Sequence, residues 1–311
     1  MADRDRVLVT GGRGYVGRWI VRQLVDAGRP VVTYDRDWWP GEPGVIAAHG
    51  ELQDATRLAR VIEEQRVGKI IHTASISHPD VSVEMPVATI HANAMGTVEL
   101  YEAARLAGVE RVVNYSSSSI YGFQDGIVSE EAVLDPTTPY GVSKVVGDLL
   151  GKVYRGLYGF DVLSLRVHWV YGPGQRMQEY THDLVRAALD GRPFRLQQGA
   201  DHPLPMVFVR DVAAAGILAA DAPAAQVTQA AYNVAGPEWP SLGELAERVA
   251  ALVPGADLHV GPGDLPLDQL GDHRVAAVDL QAAARDLGYR PAWDLERGLA
   301  EYAEWLRVNE Y

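Results

Sequence analysis

A regular alternation of short apolar segments with helical segments constrains the fold of this chain more than any other feature. Strand patterns fall at residues 6–10, 30–35, 69–74, 111–116 and 162–167, and helical patterns at 15–27, 55–65, 87–107 and 140–158. Strands that are separated by helices form parallel sheets through right-handed crossovers, which place helices on both faces. The sequence therefore predicts an α/β fold built on a doubly wound parallel sheet.

The pattern changes after Pro173, where Gly and Pro interrupt shorter elements. We predict that residues 1–172 form the sheet domain and that about 206–236, which contain a further strand and helix pattern, rejoin it. Residues 173–205 and 237–311 would form a smaller C-terminal lobe. Because ligands of such sheets bind at the carboxyl ends of the strands, we expect this lobe to bind the substrate.

Composition excludes several classes of partner. The net charge of −13 comes without any run of Lys or Arg, so we expect no nucleic acid and a small molecule instead. The chain has no Cys, which removes thiol nucleophiles and thiolate metal sites, and no His, Asp and Glu spacing indicates a metal. An apolar leader at the N-terminus and an apolar run of 18 residues are both missing, so we expect a cytoplasmic protein without a membrane span.

A glycine-rich turn lies where the first strand passes into the first helix. Residues 10–17 read TGGRGYVG, and Gly11, Gly14 and Gly17 permit a tight turn and close approach of a phosphate. A dinucleotide pyrophosphate fits this place, and a tight structural turn is the alternative reading of the glycines. Asp35 ends the second strand, where a carboxylate can bond the ribose hydroxyls of NAD and repel the 2′-phosphate of NADP. Arg36 would partly offset that repulsion, and an ordinary strand-end carboxylate is the alternative reading of Asp35.

Tyr140 and Lys144 place a phenol and an ammonium on one face of a helix. With 14 Tyr and with Lys69, Lys144 and Lys152 as the lysines, chance alone would give about 0.14 such pairs. A free tyrosine has a pKa of about 10, and a lowering of about three units needs about 4 kcal/mol, which a nearby cation in a dry site can supply. The pair can therefore act as a proton acceptor and donor; an exposed helical pair is the alternative.

These motifs resemble, in order, those of the extended short-chain dehydrogenase/reductase family, in particular its NAD-dependent sugar epimerase/dehydratase branch. The resemblance covers nearly the whole chain. It rests on the glycine turn, GELQD at 50–54, Asn93 with Gly96-Thr97, SSSSIYG at 116–122, Tyr140 with Lys144, and residues 166–174.

The resemblance implies a role for each matching residue. Tyr140 would be the catalytic acid and base, Lys144 would bind the nicotinamide ribose and lower the tyrosine pKa, Ser117 would bond the reacting oxygen, and Asn93 would support the proton relay. The cofactor would be NAD. Its contacts would be Gly11, Gly14, Tyr15, Val16, Gly17, Asp35, Arg36, Glu51, Leu52, Thr73, Ala74, Ser75, Tyr140, Lys144 and Val167.

The chain departs from the family pattern on the substrate side. Dehydratases of this branch carry an Asp-Glu pair where this chain has Ser118 and Ser119, so water elimination lacks its usual acid and base. Trp169 stands where nucleotide-sugar epimerases have Asn. The arginines that clamp a diphosphate are missing within 204–205 and near 269–272, unless Arg176, Arg210 or Arg274 substitutes for them.

A pocket with imidazole and indole groups suits a sugar ring, although hydrogen-bonded structural histidines are the alternative for His78 and His168. The residues expected to bind the substrate are Ser117, Ser118, His78, His168, Trp169, Arg176 and Arg274.

Three functions follow from these residues. We favour an epimerase, in which a secondary carbinol of a sugar-type substrate is oxidised to a ketone and hydride returns to the other face. The first alternative is a net NAD-dependent dehydrogenase of a small non-nucleotide sugar acid, polyol or amino alcohol. The second is a redox-inactive NAD-binding regulator. Helices over 87–107 and 140–158 resemble those that pair across a two-fold axis in relatives, so we predict a homodimer.

Overall fold

The computed structural model describes residues 4–175, 177, 179–266 and 274–309. Its strands are β1 (Arg6–Thr10), β2 (Val31–Asp35), β3 (Val45–His49), β4 (Val67–His72), β5 (Arg111–Ser117), β6 (Phe123–Val128), β7 (Asp161–Val167), β8 (Trp169–Tyr171), β9 (Phe194–Leu196), β10 (Met206–Phe208), β11 (Ala231–Val234), β12 (Leu258–Val260) and β13 (Arg274–Val278).

The α-helices are α1 (Gly17–Asp26), α2 (Ala55–Glu64), α3 (Pro79–Glu84), α4 (Pro86–Thr89), α5 (Gly96–Leu106), α6 (Pro139–Tyr158), α7 (Tyr180–Leu189), α8 (Val209–Asp221), α9 (Leu242–Leu252), α10 (Gln281–Asp286) and α11 (Leu295–Val308). A π-helical segment, Ile90–Met95, joins α4 to α5, and a 3₁₀ turn, Ser118–Ile120, follows β5. Within the described ranges, no helix is long and apolar enough to cross a membrane.

The main sheet has the strand order β3-β2-β1-β4-β5-β7-β11, and every neighbouring pair is parallel. Side chains alternate between the two faces of each strand. In β1, Val7 and Val9 pack in the apolar cluster that contains residues of α1 and α8, whereas Leu8 packs in the cluster that contains residues of α2 and α5. Helices therefore cover both faces, which confirms the predicted doubly wound parallel sheet.

A third apolar cluster lies among α7, α9 and α11 and includes Leu245, Leu299 and Tyr302. Two strand pairs lie in the same part of the chain, with β8 parallel to β10 and β9 parallel to β12. Strand β11 pairs with β7 in the main sheet, and α8 packs beneath that sheet. The boundaries of the two lobes stay a prediction.

Candidate active site

The glycine turn forms a cradle at the start of α1. The N–H of Gly14 donates to the oxygen of Gly11 over 2.8 Å, and a Cβ on Gly17 would lie 2.1 Å from that same oxygen. Helix α1 begins without a side-chain cap on its N-terminus. Because the helix dipole favours negative charge at this end, the turn fits a pyrophosphate.

Asp35 lies beside the glycine turn. Its carboxylate accepts hydrogen bonds from the backbone N–H groups of Arg13 and Asp37, both over 3.1 Å. Each carboxylate oxygen has a second lone pair, so Asp35 can still accept from ribose hydroxyls. Arg36 is exposed, and its carbonyl oxygen lies 2.8 Å from Nε2 of His49.

The other residues predicted to contact the cofactor gather around the ends of β1, β4 and β7. Thr73 Oγ1 donates to the oxygen of Thr10 over 2.7 Å, and the N–H of Ala74 donates to Thr10 Oγ1 over 3.3 Å. A Cβ on Gly11 would lie 2.8 Å from the backbone of Ala74, so the two loops are in close contact.

The remaining residues predicted to contact the cofactor are largely buried or hydrogen-bonded. Leu52 is buried, and the backbone oxygen of Glu51 accepts a hydrogen bond from the Tyr34 hydroxyl over 2.9 Å. The Tyr15 hydroxyl donates to the backbone oxygen of Gly172 over 3.2 Å. Val16, Ser75 and Val167 are partly or fully buried at the same edge.

Helix α6 carries Tyr140 and Lys144, which are 8% and 9% exposed. The Lys144 Nζ donates to the backbone oxygen of Tyr115 in β5 over 2.8 Å and lies 5.6 Å from the centre of the Tyr140 ring. Burial lowers the pKa of Lys144 to about 8, against the opposing charge of Asp148. The ammonium is therefore held beside the phenol, at the end of the sheet where Ser117 lies.

Ser117 ends β5 and turns into the 3₁₀ segment. Its Oγ lies 3.0 Å from Ser119 Oγ and accepts from the N–H of Ser119 over 3.2 Å. A Cβ on Gly141 would lie 2.7 Å from the backbone oxygen of Ser119, so the glycine lets the start of α6 approach this turn closely. The start of α6, which carries Tyr140, therefore packs against the turn that follows Ser117, and Ser118 is buried in that turn.

Asn93 lies in the π-helical segment and connects the loop after β4 to helix α6. Its Oδ1 accepts from the N–H of Ile76 over 2.7 Å, and its Nδ2 donates to the oxygen of Ile76 over 2.9 Å and to Ser143 Oγ over 3.0 Å. Ser143 in turn donates to the oxygen of Tyr140 over 2.6 Å. These bonds give Asn93 a positioning role for α6, and its predicted part in the proton relay stays a prediction.

The residues predicted to bind the substrate are more scattered. His78 caps α3, with its Nδ1 accepting from the N–H of Asp80 over 3.2 Å. Strands β5 and β7 are in register at Ser117 and Val167, so His168 and Trp169 leave the sheet beside the serine turn. The His168 ring stacks on Tyr121 at 6.3 Å. Arg274 bonds Asp264, and Arg176 lies outside the described residues.

A buried hydrogen-bond chain escaped the sequence analysis. His72 lies between two threonines, with Nδ1 2.7 Å from Thr10 Oγ1 and Nε2 3.0 Å from Thr97 Oγ1. Burial, together with the charge of Lys144, lowers the pKa of His72 to about 3, so its ring is neutral. Thr97 donates onward to the oxygen of Asn93 over 2.5 Å. The sequence shows only a histidine at the end of an apolar strand, and this pattern does not predict hydrogen bonds to Thr10 or Thr97.

Comparisons with known proteins agree with this geometry. A sequence model of the NAD dependent epimerase/dehydratase family matches residues 7–235. A UDP-glucose 4-epimerase from Mycolicibacterium smegmatis is 31% identical over 317 residues, covering 97% of this chain and 98% of that protein. A dTDP-glucose 4,6-dehydratase from Streptomyces antibioticus is 29% identical, covering 97% of this chain and 92% of that protein.

Solved structures agree as well. MoeE5 in complex with UDP-glucose and NAD superimposes with a TM-score of 0.84 at 31% identity, covering 97% of this chain and 98% of that one. The UDP-glucose 4-epimerase of Thermus thermophilus, in complex with NAD, gives a TM-score of 0.83 at 28% identity, covering 97% and 99%. The glycine cradle, the strand-end carboxylate and the Tyr-Lys helix of this chain fit that cofactor. The chain therefore belongs to the NAD-dependent epimerase/dehydratase family, whose members are extended short-chain dehydrogenase/reductase enzymes that use NAD.

Proposed function

We propose that this protein is an epimerase that oxidises a secondary carbinol of a sugar-type substrate and then reduces the ketone from its other face. The observation that supports this most is the seat of Lys144 Nζ on the oxygen of Tyr115, two residues before Ser117, together with the close approach of Gly141 to the turn that follows Ser117. Bound NAD supplies a reversible hydride acceptor. The glycine turn and Asp35 would hold it, as their geometry indicates.

Side chains of this protein would accept the carbinol proton and return it to the ketone oxygen. The phenol oxygen of Tyr140 accepts the carbinol proton on oxidation and gives it back to the ketone oxygen on reduction. Lys144 stabilises the phenolate through its charge, because its Nζ is fixed on the oxygen of Tyr115 in a dry site. The Ser117 hydroxyl bonds the reacting oxygen and orients it toward Tyr140.

The two serines after Ser117 argue against a dehydratase. Ser118 and Ser119 are both 2% exposed and lie in the turn next to Ser117. Removal of water from a sugar ring needs an acid and a base beyond the tyrosine, and a hydroxyl with a pKa far above neutrality supplies neither. The chemistry at this site would therefore stop at the ketone and its reduction.

A net dehydrogenase is the second candidate. Arg210 and Arg274 both pair with carboxylates of this chain. A ketone that is not anchored through a charged tail can leave before it is reduced, which would make the reaction a net oxidation. The catalytic residues would be the same.

One assay separates the two candidates. Purified protein with NAD is incubated with nucleotide sugars, free sugars, sugar acids and polyols, while the absorbance at 340 nm and the isomer composition are recorded together. We expect isomerisation without net NADH. Stoichiometric NADH would identify the dehydrogenase, and tight NAD binding with neither product would overturn both candidates in favour of a regulator.

We also propose that the protein is a homodimer. Helix α6 exposes large apolar side chains on one face, among them Leu149, Val153 and Leu157, and Leu106 of α5 is exposed as well. Apolar stripes of this kind mark protein interfaces, and closed two-fold dimers are the commonest assembly.

Light scattering after gel filtration tests the dimer. We expect twice the chain mass for the parent protein and the single-chain mass for the L149E/V153E variant, because two buried carboxylates would oppose association. Val308 is equally apolar and 79% exposed on α11, so Val308→Glu serves as a control that should remain dimeric. A parent protein that elutes as a monomer at tens of micromolar would contradict the proposal.

A further inference from the structure

Recognition of a diphosphate calls for guanidinium groups or free N–H groups at a helix N-terminus. Groups of this kind among the described residues include Arg274 at the start of β13, Arg210 in α8 and the N-terminus of α7. The partner of each one decides whether it is available to a substrate.

Arg274 is held by carboxylates. Its Nε donates to Asp264 Oδ2 over 2.7 Å, and its Nη1 lies 3.7 Å from a carboxylate oxygen of Asp125. Asp264 also lies 2.7 Å from Nδ1 of His202. Burial alone would raise the pKa of the Asp264 carboxyl, but the bonds from His202 and the N–H of Leu265, with the charge of Arg274, hold it below its usual value. A phosphate at Arg274 would have to displace an ionised carboxylate.

The Arg210 guanidinium is held by an ion pair and by two indole rings of the same protein. It forms an ion pair with Glu301, and its guanidinium carbon lies 4.7 Å from the ring centre of Trp19 and 5.1 Å from that of Trp293. The group is thus placed between α1 and the C-terminal elements. Moving it toward a ligand would give up both ring contacts as well as the ion pair.

The N-terminus of α7 is already capped by a carboxyl side chain of this protein. The Glu179 carboxylate accepts from the N–H groups of Thr181 and His182, each over 2.9 Å. It also accepts from Nε1 of Trp169 over 3.0 Å. Burial raises the pKa of Glu179 against the hydrogen bonds that it accepts. A phosphate placed there would have to displace this side chain from the helix end.

In the surrounding lobe, Arg290 and Arg297 are exposed, and the Arg297 guanidinium lies 3.6 Å from the ring centre of Trp293. Six more arginines in the described parts of residues 173–205 and 237–311 each pair with a carboxylate: Arg186, Arg192, Arg195, Arg248, Arg285 and Arg307. The groups at the carboxyl edge of β5 and β7 are instead hydroxyls, an imidazole and an indole: Ser117, Ser118, Ser119, His168 and Trp169. Such groups bond hydroxyls and cover the apolar face of a sugar ring.

We infer that the substrate of this protein is an uncharged polyhydroxylated carbinol without a diphosphate, such as a free sugar or a polyol. The inference rests on the proposed oxidation at Tyr140, because that reaction defines the carbinol and is common to the epimerase and the dehydrogenase. Since such a substrate has no charged tail, the 340 nm assay decides whether its ketone is reduced in place or leaves. The inference separates this chain from relatives whose structures hold UDP-glucose.

Calorimetry on the NAD-loaded protein tests the inference without any turnover. Uridine diphosphate and thymidine diphosphate are titrated in turn. We expect a dissociation constant above about 1 mM for each, which corresponds to a binding free energy no more favourable than about −4 kcal/mol. Asp264→Ala, which releases Arg274, should bind uridine diphosphate at least tenfold more tightly. Binding of either diphosphate by the parent protein below about 50 μM would overturn the inference.

Two additional arms complete the test. Arg176→Ala is titrated in parallel, and a parent affinity below 50 μM that this variant abolishes would overturn the inference and identify Arg176 as the clamp. Turnover of free sugars or polyols with a higher kcat/KM than their nucleotide forms would support it. Protein that binds no diphosphate and turns over no carbinol would refute the proposed function while the diphosphate result still stands.

Discussion

Tyr140→Phe should lower turnover by about 10³-fold and leave NAD affinity within about threefold of the parent value. Loss of a general acid and base typically costs 10² to 10⁴ in rate. The substitution keeps the ring, which is 8% exposed and packs at the start of α6, so the fold should persist. Stopped-flow or steady-state turnover with the substrate found in the 340 nm assay, and NAD titration by protein fluorescence, measure the two effects.

Tyr101→Phe is a matched control for that variant. Tyr101 is fully buried, and its hydroxyl donates to the oxygen of Gly147 in α6 over 3.1 Å. Removing this hydroxyl should cost about 1 kcal/mol of stability and leave turnover within about threefold. If Tyr140→Phe reacted at the parent rate, another group would be the base.

Lys144→Met should reduce turnover by at least about a hundredfold without destabilising the protein at neutral pH. Burial lowers the pKa of Lys144 from its usual 10.5 to about 8, which means that the folded protein is penalised for the charge. Methionine has a similar length and no charge, so it removes the cost of burying the ammonium and loses the hydrogen bond to the oxygen of Tyr115. The two effects on stability oppose each other. A lysine kept at a cost to stability indicates selection for activity.

The pH dependence of stability tests the same point. Between about pH 8 and 10.5 the unfolded chain holds the Lys144 proton and the folded chain does not, so the free energy of unfolding of the parent rises with pH across this window. From about pH 7 to 9.5 the parent should gain about 2 kcal/mol relative to Lys144→Met. Lys152→Met, at an exposed position of the same helix, should show no such change. Parallel curves for the parent and Lys144→Met would mean that Lys144 is not desolvated.

The sequence predicted the main sheet because its signals are local. The glycine turn, the apolar strands and the helical spacing each lie within a few residues, and the parallel sheet is confirmed. Strand β3 was not predicted, because it is a short edge strand in which two alanines dilute the strand pattern. The helix expected over 87–107 is interrupted by the π-helical segment, which places Asn93 against Ile76 and Ser143.

The polar contacts of the site could not be predicted from the sequence, because their partners lie far apart along the chain. His202 and Asp264 are 62 positions apart in sequence, and Arg210 and Glu301 are 91 apart, so no spacing rule connects them. Arg176, Arg210 and Arg274 were possible substitutes for the missing clamp, and only the fold shows that carboxylates pair with Arg210 and Arg274. The roles of Tyr140, Lys144, Ser117 and Asn93 were implied by the resemblance and stay predictions.

A crystal structure of the protein in complex with NAD would test most directly the central claim, which is that the nicotinamide binds beside Tyr140 and Lys144. We expect the pyrophosphate on the turn between Gly11 and Gly17, the adenosine ribose on Asp35, and the nicotinamide ribose within hydrogen-bond distance of Lys144 and Tyr140. A complex in which the nicotinamide points away from Tyr140, or in which NAD lies outside the glycine cradle, would contradict the proposed chemistry.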